Sequence, residues 1–224
     1  MQNIIKIFIT ILFAIISMAG TMASDKNNFL STDTIKSLSP DEAKIGNQIW
    51  MTRNLDTEMF RNGDIIPHAE TLEDWKRAGR EAQPAWCYYD NDPANEEKYG
   101  KLYNWYAVTD PRGLAPQGWR IPSVDDWSEL TDYLGTGAGN KIKSKEGWFR
   151  EKNNSNSTGF SALPGGFRDF IGDFLGIESF GYWWTSSEES KDFSWAKYAR
   201  YNLEYVYSDN GNKENGLSVR CIKN

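Results

Sequence analysis

Few residues in this chain have the type and spacing to do chemistry. His68 is the single histidine, so a Ser-His-Asp or Cys-His arrangement would have to use it. It follows Pro67 in an expected loop with no nucleophile motif beside it, which predicts a structural or solvent-exposed ring. One histidine also excludes a histidine-rich zinc site. Acids are plentiful, with 31 Asp and Glu, and a glycosidase needs two at a defined separation across a cleft. The adjacent pairs Asp125-Asp126 and Glu188-Glu189 do not supply that, because neighbours on a helix or strand point in different directions. Asp90-Asn91-Asp92 and Asp209-Asn210-Gly211-Asn212 hold hard oxygens in expected turns. Ca²⁺ takes about six to eight such oxygens, which makes Asp90, Asp92 and Asp209 candidate ligands. Asp and Asn also favour turns for conformational reasons alone, and that reading is preferred.

The aromatic residues are the richer resource. The chain holds 10 Trp and 11 Tyr, rings large enough to fill a core or, if exposed, to form a flat binding face. Tyr182, Trp183 and Trp184 are consecutive, and on a strand they alternate faces, so at least one points away from the main core. Trp195, Tyr198, Tyr201, Tyr205 and Tyr207 follow. Aromatic faces pack on the apolar faces of sugars, and nearby Asn, Asp and Arg can satisfy hydroxyls. Trp183, Trp184, Trp195, Tyr205 and Tyr207 are therefore the candidate ligand-binding residues. The alternative is an aromatic-rich core.

The elements that must position them divide into an early helical part and a late β part. Gly46-Asn47 predicts a hairpin turn between Ile45 and Ile49, and Asn62-Gly63-Asp64 another turn. A short helix is expected from about Thr71 to Ala78, ended by Gly79. Ala85 to Tyr89 reads as a β run, and Tyr99 to Val108 carries the spacing of one helix face. The clearest local signal is Ser123 followed by Asp126, a capping-box-like start. Trp127, Leu130 and Leu134 then form a core-facing stripe that Gly135 ends, predicting a helix over Val124 to Leu134. Strands are expected over Phe160 to Phe170, Tyr182 to Ser186, Trp195 to Leu203, Tyr205 to Ser208 and Leu217 to Ile222. Asp209 to Asn212 is expected to connect the last two. The class is α+β with a late antiparallel sheet.

Composition and the N-terminus bound the rest. A formal charge of -6 with no basic run argues against nucleic acid, whose binding needs Lys and Arg to neutralise phosphates. Lys6, the apolar run Ile7 to Ile16 and the small residues before Ala23 read as a signal peptide over residues 1–23. The run is too short to span a membrane comfortably, and no later stretch is long and apolar enough to cross one. A polar tether over 24–43 and one domain over 44–224 follow, in a secreted or periplasmic protein. In an oxidising compartment Cys87 and Cys221, the only two cysteines, are expected to form one disulfide. Such a long loop would stabilise by about 4–5 kcal/mol. The alternative is two free buried thiols.

Several blocks in order along the chain resemble the Fibrobacter succinogenes major paralogous domain. They are Lys44 to Met51 with Asn54-Leu55, Trp86 to Asp92, Tyr99 to Val108, Pro116 to Trp127, Gly159 to Arg168, Tyr182 to Glu188, and Gly216 to Cys221. The resemblance implies an exported domain of Fibrobacter and Bacteroidetes-type bacteria with no established biochemical activity. Both cysteines sit where that family often has them, which favours the disulfide. Gly118-Trp119-Arg120-Ile121-Pro122-Ser123 with the following Trp127 is also similar to the helix start of formylglycine-generating-enzyme-like domains. That similarity implies a C-type-lectin-like fold, with two or three helices packed on a small twisted antiparallel sheet and long loops. The reactive cysteine pair of those oxidising enzymes is not matched by Cys87 and Cys221. The Glu-Pro-Asn, Gln-Pro-Asp and Trp-Asn-Asp patterns of calcium-dependent lectins are absent as well.

The expectation is thus a non-catalytic module without a cofactor, Ca²⁺ being the one candidate, that binds a surface glycan or an exported protein. The alternatives are a carboxylate-dependent hydrolase of polysaccharide or peptide, and a purely structural envelope protein.

Overall fold

The hairpin expected where the domain begins opens the structure, a computed structural model that describes residues 38–150 and 153–224. Strands β1 (Glu42–Ile45) and β2 (Gln48–Met51) pair antiparallel with Ile45 opposite Gln48. The two-residue loop between them is Gly46-Asn47, and Gly46 takes φ +60°, the left-handed region that glycine enters without steric cost. β structure thus begins at Glu42, two residues before the expected start of the domain at Lys44. The expected signal peptide and the tether up to residue 37 lie outside the described residues.

Helix α1 (Leu72–Arg80) is capped by Thr71, whose hydroxyl accepts from Asp74 N at 3.1 Å, and Gly79 lies inside it rather than ending it. A short ribbon pairs β3 (Trp86–Cys87) with β4 (Leu102–Tyr103). Between them lies the single turn α2 (Glu96–Tyr99), and after them the single turn α3 (Trp105–Val108). The helix expected over Tyr99 to Val108 is therefore replaced by a strand and a capped turn. Asn104 is the reason: its side chain accepts from Ala107 N at 3.1 Å and from Ala85 N at 3.0 Å, stopping one element and starting the next.

Strand β5 (Trp119–Arg120) leads into α4 (Val124–Leu134), which has the bounds the sequence predicts. Ser123 Oγ accepts from Asp126 N at 3.2 Å, and the Asp126 carboxylate accepts from Ser123 N at 2.7 Å, a closed capping box. Burial alone would raise the Asp126 carboxyl, but hydrogen bonds from Arg120 and Ser123 hold it at about 2. Trp127, Leu130 and Leu134 form its buried face. Helix α5 (Ala138–Ile142) follows.

The remaining strands are β6 (Gly165–Arg168), β7 (Phe174–Ile177), β8 (Phe180–Glu188), β9 (Phe193–Arg200), β10 (Tyr207–Asn212) and β11 (Ile222–Lys223). They complete two larger sheets. One has the order β1-β2-β11-β5, and the other β10-β9-β8-β6-β7, antiparallel except for β6 beside β8. The fold is α+β with mostly antiparallel sheets. Helix α4 packs on β8 and β9. Trp50, Trp127, Phe160 and Trp183 meet beneath it, with ring centroids 4.9–6.2 Å apart. Asn54 ties this core together. Its Oδ1 accepts from Trp183 Nε1 at 3.0 Å and from Arg220 Nη2 at 2.8 Å. Arg220, fully buried, donates also to the Met51 and Phe160 carbonyls, so its charge is solvated by oxygens of the fold.

Candidate functional site

Period-2 alternation along β8 sends Trp183 to the α4 side of the sheet and Tyr182 and Trp184 to the other. Both tryptophans are nonetheless fully buried. Trp183 joins the core under α4, and Trp184 lies in a second core with Trp86, Trp105 and Leu217, its Nε1 donating to Tyr103 O at 2.8 Å. Neither can offer a face to a ligand, which corrects the expectation for both. Trp195 is half-buried and three residues from Tyr198 on β9, so it projects from the face opposite Tyr198. It does not join the tyrosines of that face.

What the sheet does expose is a cross-strand row of tyrosines. Tyr182, Tyr198 and Tyr207 are paired register partners on β8, β9 and β10. Tyr182 and Tyr198 have centroids 5.1 Å apart at an interplanar angle of 23°, and Tyr198 and Tyr207 are 5.5 Å apart at the same angle. Rings this close and this parallel overlap in an offset stack. Their broad faces therefore cover one another. Phe167 closes one end of the row against Tyr182 at 5.1 Å. At the other end, among the described residues, no ring stacks on the outer side of Tyr207. Tyr205 stands against it at 84° with centroids 6.4 Å apart, making an open aromatic corner. Tyr205 is 46% and Tyr207 36% exposed. Asp209 anchors the row, accepting from Tyr182 Oη at 2.7 Å, and burial with this contact pushes the Tyr182 hydroxyl pKa up.

The corner is carried by the β9–β10 connection, residues 201–206, and that connection is pinned. Leu203 N donates to Arg200 O at 3.1 Å and Tyr201 N to Ser179 O at 3.0 Å. The Lys143 ammonium, buried, donates to Leu203 O at 2.6 Å, and Gly139 N to Glu204 O at 2.7 Å. Burial pulls the Lys143 pKa down to about 8, with Glu204 acting in the opposite sense. Gly139 is required by the close approach: a Cβ there would lie 2.8 Å from the carbonyl oxygens of both Glu204 and Tyr205. Sequence reasoning did not single out Lys143 or Gly139. A lysine flanked by Ile142 and Ser144 carries no signal that it will be buried.

The model of the Fibrobacter succinogenes major domain matches residues 43–223 of the chain. The chain belongs to that family. No curated protein and no solved structure matches it. In this Fibrobacter succinogenes major domain the ordered sequence blocks are chiefly core: Trp50, Asn54, Tyr103, Trp127, Trp183 and Arg220 are each half-buried or buried.

Other expected sites in this major domain are not assembled. Cys87 and Cys221 are free buried thiols, and the expected disulfide is absent. Cys87 lies on β3 in a cluster with Trp75 and Leu102, whereas Cys221 precedes β11 in the cluster of Trp184 and Val219. Burial pushes both thiols up to about 12, so neither supplies a thiolate nucleophile. Among the described residues no three His, Cys, Asp or Glu side chains gather into a group that could hold a metal ion. Asp92 instead caps a turn, accepting from Ala94 N at 2.9 Å, Asp90 is exposed, and Asp209 holds Tyr182. His68 lies flat on Trp86, centroids 3.9 Å apart and planes 5° from parallel, with Nδ1 3.4 Å from Glu70. Among the described residues no helix is long and apolar enough to cross a membrane.

Proposed function

We propose that this Fibrobacter succinogenes major domain is a non-catalytic interaction module, secreted or periplasmic, that binds a glycan at the Tyr205–Tyr207 corner. The open corner at the end of the tyrosine stack carries the reading. A pyranose has one apolar face and a rim of hydroxyls. The outer face of Tyr207 and the wall of Tyr205 suit the first, and the exposed Asn202, Glu204 and Asn210 suit the second. The stack behind Tyr207 and the pinned 201–206 connection fix the corner before ligand arrives, which lowers the entropic cost of binding. A non-catalytic role is favoured by the two inert thiols and the stacked histidine. The C-type-lectin-like assignment of the fold rests on the helix start around Ser123 and belongs to this proposal.

The test is a glycan array probed with the wild-type protein and with Tyr207→Ala. Wild type retains at least one glycan, and Tyr207→Ala loses about 1–2 kcal/mol, a five- to thirtyfold drop in affinity. Retention unchanged in the variant, or no glycan retained by the folded protein, refutes the proposal.

A further inference from the structure

Strand β10 is an outer strand of its sheet, and among the described residues no strand lies beyond it. The backbone groups on that side follow from the register. In an antiparallel ladder the directly bonded pairs alternate along the strands. Lys213 N donates to Asp192 O at 3.0 Å, just past the β9–β10 ladder and in the same register. The bonded pairs are therefore Tyr207 with Tyr198, Asp209 with Ala196 and Gly211 with Ser194. Ser208, Asn210 and Asn212 then turn their N–H and C=O groups away from β9, and Val206 follows by the same alternation. Asn210 N is met by Asp209 Oδ1 at 3.0 Å, and Asn212 O by Asn215 N at 2.8 Å. Among the described residues no backbone bond covers the outer groups of Val206 and Ser208.

Open edges recruit other strands, and native sheets blunt them with Lys, Pro, bulges or covering loops. The opposite edge of this sheet is blunted. There β7 is broken by Gly176 at φ +77°, and Phe149 N donates to Glu178 O at 2.6 Å just past it. β10 has none of these devices. Its residues, Tyr-Ser-Asp-Asn-Gly-Asn, include no Lys, Arg or Pro, and they pair with β9 without a register break. Its one charge, Asp209, is taken up by the Tyr182 hydroxyl. A second observation shows what fits beside it. The tyrosine row repeats at 5.1 and 5.5 Å, close to the strand spacing of about 4.8 Å. The next place in the row thus lies over the place of a next strand. A strand that puts a ring opposite Tyr207 extends the stack and pairs the open backbone together.

We propose that this edge is a self-association surface, on which β10 of a second copy of the chain pairs antiparallel with Tyr207 facing Tyr207 across a two-fold axis. β10 itself holds both complements, an uncovered edge and a ring in register, and a two-fold contact brings each surface against itself. Val206 and Ser208 of one copy exchange hydrogen bonds with Ser208 and Val206 of the other, using the uncovered groups. Tyr207 takes the close, non-bonded position, with Cα atoms about 4.5 Å apart, and the two tyrosine rows join into one. The contact is short, so the pair is weak and concentration-dependent. One consequence rests on the glycan reading above: pairing covers the outer face of Tyr207, so self-association and glycan capture exclude each other.

The test is sedimentation velocity over a concentration series without glycan, with ¹H–¹⁵N spectra of the same samples. The sedimentation coefficient rises toward that of a pair, and the Val206 and Ser208 amide signals shift with the same concentration dependence. Tyr207→Lys sets two ammonium groups opposite each other and weakens pairing about tenfold or more. Tyr207→Phe keeps the ring and pairs like wild type. Tyr207 is an exposed side chain, and the spectra report the fold of both variants. A protein that stays single at every concentration overturns the inference. So does self-association in which the Val206 and Ser208 amides stay still, or which Tyr207→Lys leaves unchanged. If the protein stays single while those amides move with a synthetic β-strand peptide bearing one tyrosine, the edge takes a foreign strand and the second copy is refuted. A glycan held at the corner lowers the paired fraction, and a paired fraction that such a glycan leaves unchanged overturns the exclusion. Pairing in a protein that binds no glycan sinks the glycan reading and leaves the interface standing.

Discussion

Gly139→Ala separates two opposing effects whose sizes the structure sets. In most helices this change stabilises by about 0.5–1 kcal/mol, because alanine loses less backbone entropy. Gly139 lies in the first turn of α5, where the gain is at most that large. The added Cβ would lie 2.8 Å from Glu204 O and Tyr205 O and 2.9 Å from Glu204 C. All three are backbone atoms and cannot rotate away. Overpacking of this kind costs about 1–3 kcal/mol. Displacing residues 204–205 also weakens the 2.7 Å bond from Gly139 N to Glu204 O, worth about 1 kcal/mol. The net expectation is destabilisation by about 1–3 kcal/mol, read as a lower urea midpoint at unchanged slope. Glycan affinity should fall as well, because Tyr205 moves with its carbonyl. Gly137→Ala is the control. Gly137 has φ +74° and no atom within 4 Å of the added carbon, so it should cost about 1 kcal/mol from backbone strain and leave binding unchanged. If Gly139→Ala is as stable as wild type and binds as well, the claim that this connection is sterically pinned is wrong.

Three further outcomes follow from the buried polar groups. Lys143 has its pKa lowered to about 8 from the usual 10.5, so between those values the unfolded chain holds the proton and stability rises with pH. Denaturation midpoints of wild type should gain on those of Lys143→Met across that window, and parallel curves would contradict this. Asn54→Ala strands the buried Arg220 and the Trp183 indole and should cost about 3 kcal/mol or more in urea unfolding; a loss below about 1 kcal/mol would show that Asn54 is not the tie between them. Cys87 and Cys221 should both alkylate in denaturant under non-reducing conditions and resist alkylation when folded, whereas a mass showing two fewer hydrogens and no alkylation would restore the disulfide.

The parts of this fold that could be read from sequence are those specified by neighbours along the chain. Ser123, Asp126 and Gly135 set both ends of α4 without help from the rest of the molecule. Gly46-Asn47 did the same for the first hairpin. Where partners are distant, the reading failed. Asp209 to Asn212 has the composition of a turn but lies in β10, because β9 offers Ala196, Trp195, Ser194 and Phe193 as register partners. The turn expected there falls later, at 213–215, where Asn215 N donates to Asn212 O at 2.8 Å, and residues 201–206, most of which the sequence suggests as strand, form the β9–β10 connection. Tyr205 and Tyr207 were chosen with Trp183 and Trp184 on aromatic character alone. Only the packing of two separate cores on either side of β8 decides that the tryptophans are interior and the tyrosines are not. Cys87 and Cys221 were paired by compartment and family habit, neither of which measures a distance.

The most direct test of the account labels the protein with 3-fluorotyrosine and records ¹⁹F spectra while adding a glycan that the array has identified. The Tyr205 and Tyr207 resonances should shift and saturate together, and the buried Tyr103 resonance should not move. Saturable binding that leaves both corner tyrosines unshifted would place the ligand elsewhere and contradict the central claim.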